Sequence, residues 1–178
     1  MEAIYTIVSV LIIGALVIYV YLTANRRHIA VLFIFYMVCV LAITVLLRAS
    51  ASDALVVFNP FKRYKVIVKS FYTRTKDDGF SGTLMSIRKT SVLLNEIVQN
   101  ILLFIPFGFL LPISLKPINK LWKVLICGLA FSFFIETIQL MTHRGCFDVS
   151  DLIHNSVGAI VGFMIFHRLL NKNRADYQ

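Results

Sequence analysis

Charge is scarce in this 178-residue chain: Asp, Glu, Lys and Arg make up 15% of it, and only 9 of those residues are acidic against 18 basic. The apolar set reaches 58%, whereas a soluble domain holds about 45 to 50% even with glycine counted. That excludes a soluble globular protein, and the same apolar background excludes a disordered basic tail or a nucleic-acid-binding arm. Cysteine is sparse as well. Cys39, Cys127 and Cys146 form no CxxC pair, and the first two lie inside apolar runs, so they read as reduced packing residues. There is no Gly-rich phosphate loop, no GxSxG elbow and no HExxH helix, so no metal site and no cofactor is expected.

What the chain has instead is length in its apolar runs. A helix needs about 20 such residues to cross about 30 Å of hydrocarbon, and five runs qualify: 4–22, 29–47, 97–115, 121–141 and 152–170. The expected fold is an all-α integral membrane protein, one domain over residues 1–178, built as a bundle of five transmembrane helices with a single long loop at 48–96. The opening MEAIYT has no basic stretch, and its apolar run exceeds that of a secretory signal, so the first run is expected to stay as a span. Arg26 and Arg27, then Lys116, Lys120 and Lys123, then Arg168, Lys172 and Arg174 mark one side, against Arg144 alone in the short segments of the other. By the positive-inside rule the protein is expected to be multi-pass in a cell membrane, with its N-terminus outside, its C-terminus cytoplasmic and the long basic loop extracytoplasmic.

Within the loop, Tyr64, Ile67, Val68 and Phe71 recur at helical spacing, with Lys62, Lys65, Lys69 and Lys76 on the other side. This is the pattern of a basic amphipathic helix lying among headgroups, an anchor on anionic lipid or a collar for a phosphate-bearing lipid or wall polymer. The run KDDGFSGT, with Gly79 and Gly82, reads as a flexible turn.

Ionisable groups inside spans are costly and ask for a reason. Glu136 lies inside the fourth run, with Gln139 and His143 on its face at i+3 and i+7; the following turn supplies Arg144, Asp148 and Asp151, and Asn155 continues the Asp151 face. The third run opens with Asn95, Glu96, Gln99 and Asn100. Since consecutive spans alternate in direction, these three sets emerge on one side of the membrane together with the long loop. Glu136, Asp148 and Asp151, with His143 and His154, have the chemistry of acid, base or hard-metal ligands, and Arg144 that of a phosphate or carboxylate clamp. The structural alternative is an ion network in which Arg144 neutralises an acid and Asp148 caps the fifth helix. Gly158 and Gly162 form a GxxxG step for close helix contact, while Pro106 with Gly108 interrupts the third span and frees a backbone carbonyl that a neighbour must satisfy.

Three blocks, FNPFKRY at 58–64, NEIVQNILLFIPFGFLLP at 95–112 and ETIQLMTHRGCFDVSDLIHNSVGAIVG at 136–162, resemble the VanZ-like family of bacterial membrane proteins. The resemblance covers about residues 30–170 and carries over Asn95, Asn100, Pro106, Gly108, Glu136, Gln139, Arg144, Asp148, Asp151, Asn155, Gly158 and Gly162. It implies a cell-membrane protein associated with resistance to glycopeptide antibiotics of the teicoplanin type, or with envelope homeostasis, and implies no particular reaction. Two functions are compatible with it. In one, Asn95, Asn100, Glu136, Gln139, Arg144, Asp148, Asp151 and Asn155 engage a lipid-linked cell-wall precursor or an anionic lipid. In the other, an integral membrane enzyme acts on a lipid-linked phosphate, with catalytic candidates Glu136, Asp148 and Asp151. A transporter is disfavoured by the lack of an inverted repeat.

Overall fold

The computed structural model describes residues 25–46, 56–73 and 80–175, together with Ala15 and Tyr19, which are helical. The span expected over 4–22 otherwise lies outside the described residues. Five helices and two short strands follow in order: α1 (Arg26–Leu46), β1 (Val56–Val57), α2 (Lys62–Thr73), α3 (Phe80–Ser114), α4 (Leu121–Met141), β2 (Phe147–Asp148) and α5 (Val149–Ala175). Four of the helices, α1, α3, α4 and α5, are long and apolar enough to cross a membrane. The protein is a helical membrane protein.

Local chemistry sets the helix starts. Asn25 caps α1, its side chain accepting the Arg27 N–H at 3.1 Å. Asn59 does the same for the Phe61 N–H at 3.0 Å, and Pro60, which has no N–H to leave unsatisfied, follows the cap and leads the chain into α2. At the end of α4 the Arg144 N–H reaches the Gln139 carbonyl at 3.0 Å and the His143 N–H the Leu140 carbonyl at 3.3 Å. This paired closure needs a left-handed residue between, and His143 takes it with φ 53°.

The region read as one long loop is therefore corrected. Its described part holds β1, α2 and the first turns of α3, which begins at Phe80 and includes Gly82. At 35 residues, α3 is about 50 Å long, so its polar first turns overrun the hydrocarbon, where hydropathy gives no sign of them. β1 pairs in parallel with β2, Val56 opposite Phe147 and Val57 opposite Asp148, tying the segment after α1 to the turn before α5.

Packing is densest between α3 and α5, and glycine makes it possible. A Cβ on Gly158 would collide with the Ile101 carbonyl oxygen and stand 2.9 Å from the Phe104 Cβ; one on Gly162 would collide with the Ile105 carbonyl oxygen and stand 2.9 Å from the Phe109 nitrogen. From the facing side, a Cβ on Gly108 would strike the Ala159 carbonyl. The helices thus meet backbone to backbone, as the GxxxG step predicts. Around this contact Phe104, Phe107 and Phe131 cluster, with Phe107 and Phe131 stacked at a centroid distance of 5.5 Å, and Phe33 of α1 adds a ring 5.5 Å from Phe107. Outward faces stay apolar, with Val31, Ile34, Phe35 and Val38 of α1 and Ile126, Phe133 and Phe134 of α4 exposed, as lipid contact requires.

Pro106 and Gly108 do not break α3, whose helix runs continuously to Ser114. A helical proline leaves the carbonyl four residues earlier, here Leu102, without its helical donor. The neighbour arrives one rung along: the buried Tyr36 hydroxyl of α1 donates to the Leu103 carbonyl. Gly158→Ala or Gly162→Ala is expected to lower the melting temperature in detergent, overpacking costing about 1 to 3 kcal/mol. Gly128→Ala, whose new methyl would meet only the Ala159 side chain at 3.3 Å, is expected to stay close to wild type in the same measurement.

A polar network pinned by Arg63

The C-terminal end of α1, β1, α2, the first half of α3, the end of α4 and the start of α5 lie at one end of the bundle. The sequence-derived polar sets of α3, α4 and α5 come together there. Asp148 precedes the first residue of α5 and caps it: its Oδ1 accepts both the Ser150 N–H at 2.8 Å and the Ser150 hydroxyl at 2.7 Å. Glu136, buried in the last turns of α4, accepts the Asp148 N–H through Oε2 at 2.8 Å, so α4 holds the entry to α5 by a buried carboxylate. One turn on, Gln139 reaches across to donate to the Thr44 carbonyl of α1 at 3.1 Å. Asn155 donates to the Ser132 hydroxyl at 2.8 Å, joining α5 to α4 in the interior. Asn95 and Asn100 are half-buried on α3, and Arg144 is half-buried in the turn between α4 and β2. His143 is the exception: α4 ends at Met141, so it leaves the Glu136 face and stands exposed in the turn.

Acids placed at the first turn of α5 gain from the positive end of its dipole, yet Asp148 and Asp151 are buried and a buried carboxylate needs a countercharge. The cation comes from α2. Arg63 Nε donates to Asp148 Oδ2 at 2.9 Å, and its Nη1 lies 2.8 Å from Glu96 Oε2 and 3.4 Å from Asp151 Oδ1. One guanidinium thus draws together α2, α3, β2 and α5. Burial works against its charge, but Asp151, Asp148 and Glu96 outweigh that effect and hold its pKa above even the usual arginine value. The planar fork suits the task, since it serves several oxygens from one side chain.

Next to it, the Tyr64 hydroxyl lies 2.6 Å from Nε2 of buried His154, whose Nδ1 faces Asp151 Oδ1 at 3.8 Å. The amphipathic helix expected in this region is present, but its inward side differs from the wheel. Arg63 and Ile67 turn toward the bundle, Tyr64 stands at the boundary with its hydroxyl inward, and Val68 is exposed. Lys62, Lys65 and Lys69 are exposed, whereas Lys76 lies outside the described residues. Hydrophobic periodicity had no means of turning Arg63 inward; the interior carboxylates did. Among the described residues, no three His, Cys, Asp or Glu side chains converge as metal ligands would.

Arg63, Tyr64, Ser132 and Ser150 are the members that the sequence reading of the site did not include. A signal existed for Arg63: the polar sets of the third, fourth and fifth runs hold Glu96, Glu136, Asp148 and Asp151 against Arg144 alone, and FNPFKRY is one of the blocks of the family resemblance. The family model described as VanZ/LLP1 matches residues 33–171, which contain the whole network. The chain belongs to the VanZ/LLP1 family. Protein VanZ of Enterococcus faecium is 34% identical over 87 residues, 46% of this chain and 52% of that protein, so the similarity spans about half of this curated relative. No solved structure matches the chain.

Removing the cation from a buried pair strands its partners, at a cost of about 3 to 5 kcal/mol. Arg63→Met is therefore expected to lower thermal stability in detergent sharply, while Lys62→Met, one residue away but exposed, stays within about 0.5 kcal/mol of wild type. Equal effects of the two substitutions in thermal unfolding would contradict the pinning role of Arg63.

Proposed function

We propose that this VanZ/LLP1 protein is a cell-envelope protein of the bacterial membrane whose polar end engages a lipid-linked or anionic envelope component. Through that contact it contributes to tolerance of glycopeptide antibiotics of the teicoplanin type, or to envelope homeostasis. The distribution of Lys and Arg in the short connections supports an outward-facing polar end, with the C-terminus cytoplasmic.

The observation that carries this reading is the double character of α2. Its inward side is held by the Arg63 ion pairs, and its outer side presents Lys62, Lys65 and Lys69 with Phe58, Phe61, Val66 and Val68 all exposed. Apolar side chains and lysines together on a helix at the end of a membrane bundle suit the headgroup layer, rings inserted and ammonium groups at phosphate depth. Arg144 adds a guanidinium to the same end. The carboxylates have structural employment: Glu136 receives the Asp148 N–H, and Asp148 divides its oxygens between the cap and Arg63. In this reading they position the basic surface, and Asn95, Asn100, Gln139, Asp151 and Asn155 line the end on which it sits.

Each lysine near an anionic surface contributes about 1 kcal/mol. Replacing Lys62, Lys65 and Lys69 by Glu is expected to reduce retention of phosphatidylglycerol in native mass spectrometry at low ionic strength by roughly a hundredfold or more. Teicoplanin tolerance in a host that depends on this chain is expected to fall with it. Unchanged lipid retention would contradict the reading.

A further inference from the structure

The Tyr64 and His154 contact is more than a packing hydrogen bond in its layout. Three polar groups stand in order from the interior to the surface: Asp151 and His154, whose side chains are 1% and 3% exposed, then Tyr64 at 37%. The phenol oxygen lies 2.6 Å from Nε2, and the rings meet edge on with centroids 5.9 Å apart. For Nε2 to accept the phenol proton, Nδ1 must carry a hydrogen, and Nδ1 faces Asp151 Oδ1 at 3.8 Å with no hydrogen-bond partner among the described residues. Catalytic contacts often stand long in an empty site and tighten on binding. A hydroxyl, a base within hydrogen-bond reach and a carboxylate behind the base form the arrangement that activates a nucleophile. A purely structural tyrosine contact needs neither the carboxylate nor a ring left open at the surface. Arg63, 3.4 Å from the same Asp151 oxygen, holds that carboxylate in place.

We propose that Tyr64 is the nucleophile of a phosphoryl-transfer site, with His154 as its base and Asp151 orienting the imidazole, acting on a phosphate anhydride presented at the membrane surface. The Tyr64 oxygen bonds to the terminal phosphorus while its proton passes to His154 Nε2. The bridging P–O bond breaks, its electron pair stays on the leaving phosphate oxygen, and that oxygen takes the proton from His154. Water then attacks the phosphorus and gives a proton to His154, the bond from phosphorus to Tyr64 breaks, and the phenol regains its proton. One water is consumed and inorganic phosphate is released. Asp151 stabilises the imidazolium formed in each half. The substrate class rests on the proposed engagement of a phosphate-bearing lipid at this end of the bundle, since the exposed Lys62, Lys65 and Lys69 lie around α2 from the phenol; the activation of Tyr64 does not.

Two probes separate these elements in the detergent-purified full chain. A neutral arylsulfonyl fluoride reports activation alone: the phenol oxygen bonds to sulfur, fluoride leaves, and His154 takes the proton. Of the 7 tyrosines, Tyr64 is expected to react about tenfold faster than any other, a comparison that needs no variant, and the rate is expected to fall about tenfold in His154→Gln. Farnesyl pyrophosphate in mixed micelles reports the chemistry: inorganic phosphate should be released by the wild type and lost in Tyr64→Phe, which keeps the ring against His154. Tyr64 labelling no faster than that of the other tyrosines overturns the relay. Labelling without phosphate release above the Tyr64→Phe level overturns the phosphoryl assignment and with it the proposal. If the lysine replacements leave phosphatidylglycerol retention unchanged while both probes give the expected results, the lipid-binding reading fails and this site stands.

Discussion

A buried carboxylate cannot be left without a countercharge, and the polar end of this bundle buries Asp148 and Asp151 where α5 begins. Arg63 answers both and adds Glu96 of α3. Much else at this end follows from that demand. α2 must lie across the mouth of the bundle with Arg63 turned inward, and β1 must run beside β2 to deliver it. The early turns of α3 must continue beyond the bilayer so that Glu96 stands within reach. Tyr64, the next residue, is thereby brought to His154.

A platform rigid enough to hold such a network comes from the apolar half. Gly108, Gly158 and Gly162 bring the backbones of α3 and α5 into contact, and contacts of that kind leave little freedom for one helix to slide along the other. Tyr36 completes the platform by donating to the Leu103 carbonyl of α3, near Pro106. Asn155 and Ser132 carry the join between α5 and α4 inward from the ionic end, so polar network and apolar core are continuous. The carboxylates thus hold fixed positions, and the surface proposed to act is built on them: the exposed lysines of α2, and a phenol backed by an imidazole.

The membrane class was legible because apolar run length is a one-dimensional property, and the gathering of Asn95, Glu136, Asp148, Asp151 and Asn155 at one end was legible because spans alternate in direction. The Asp148 cap was within reach of local reasoning too, since capping involves neighbours in sequence. Arg63 was not: it meets Asp148 across 85 positions of sequence, and a helical wheel ranks an arginine as outward unless something inside requires it. The extension of α3 upstream of Asn95 escaped for a related reason. Once a helix leaves hydrocarbon it no longer needs apolar residues, so Ser86, Arg88 and Lys89 look like loop. His143 was misplaced because its left-handed backbone ends the helix at a residue type that also fits inside one.

The central claim, that one guanidinium holds α2 on the bundle, is tested most directly by amide hydrogen exchange on the wild type and Arg63→Gln in the same detergent. Loss of the pin is expected to raise exchange over Lys62–Thr73 by about tenfold or more, while the glycine-packed contact of α3 with α5 keeps its protection. Exchange across α2 that is the same in both proteins, with both folded, would contradict the account.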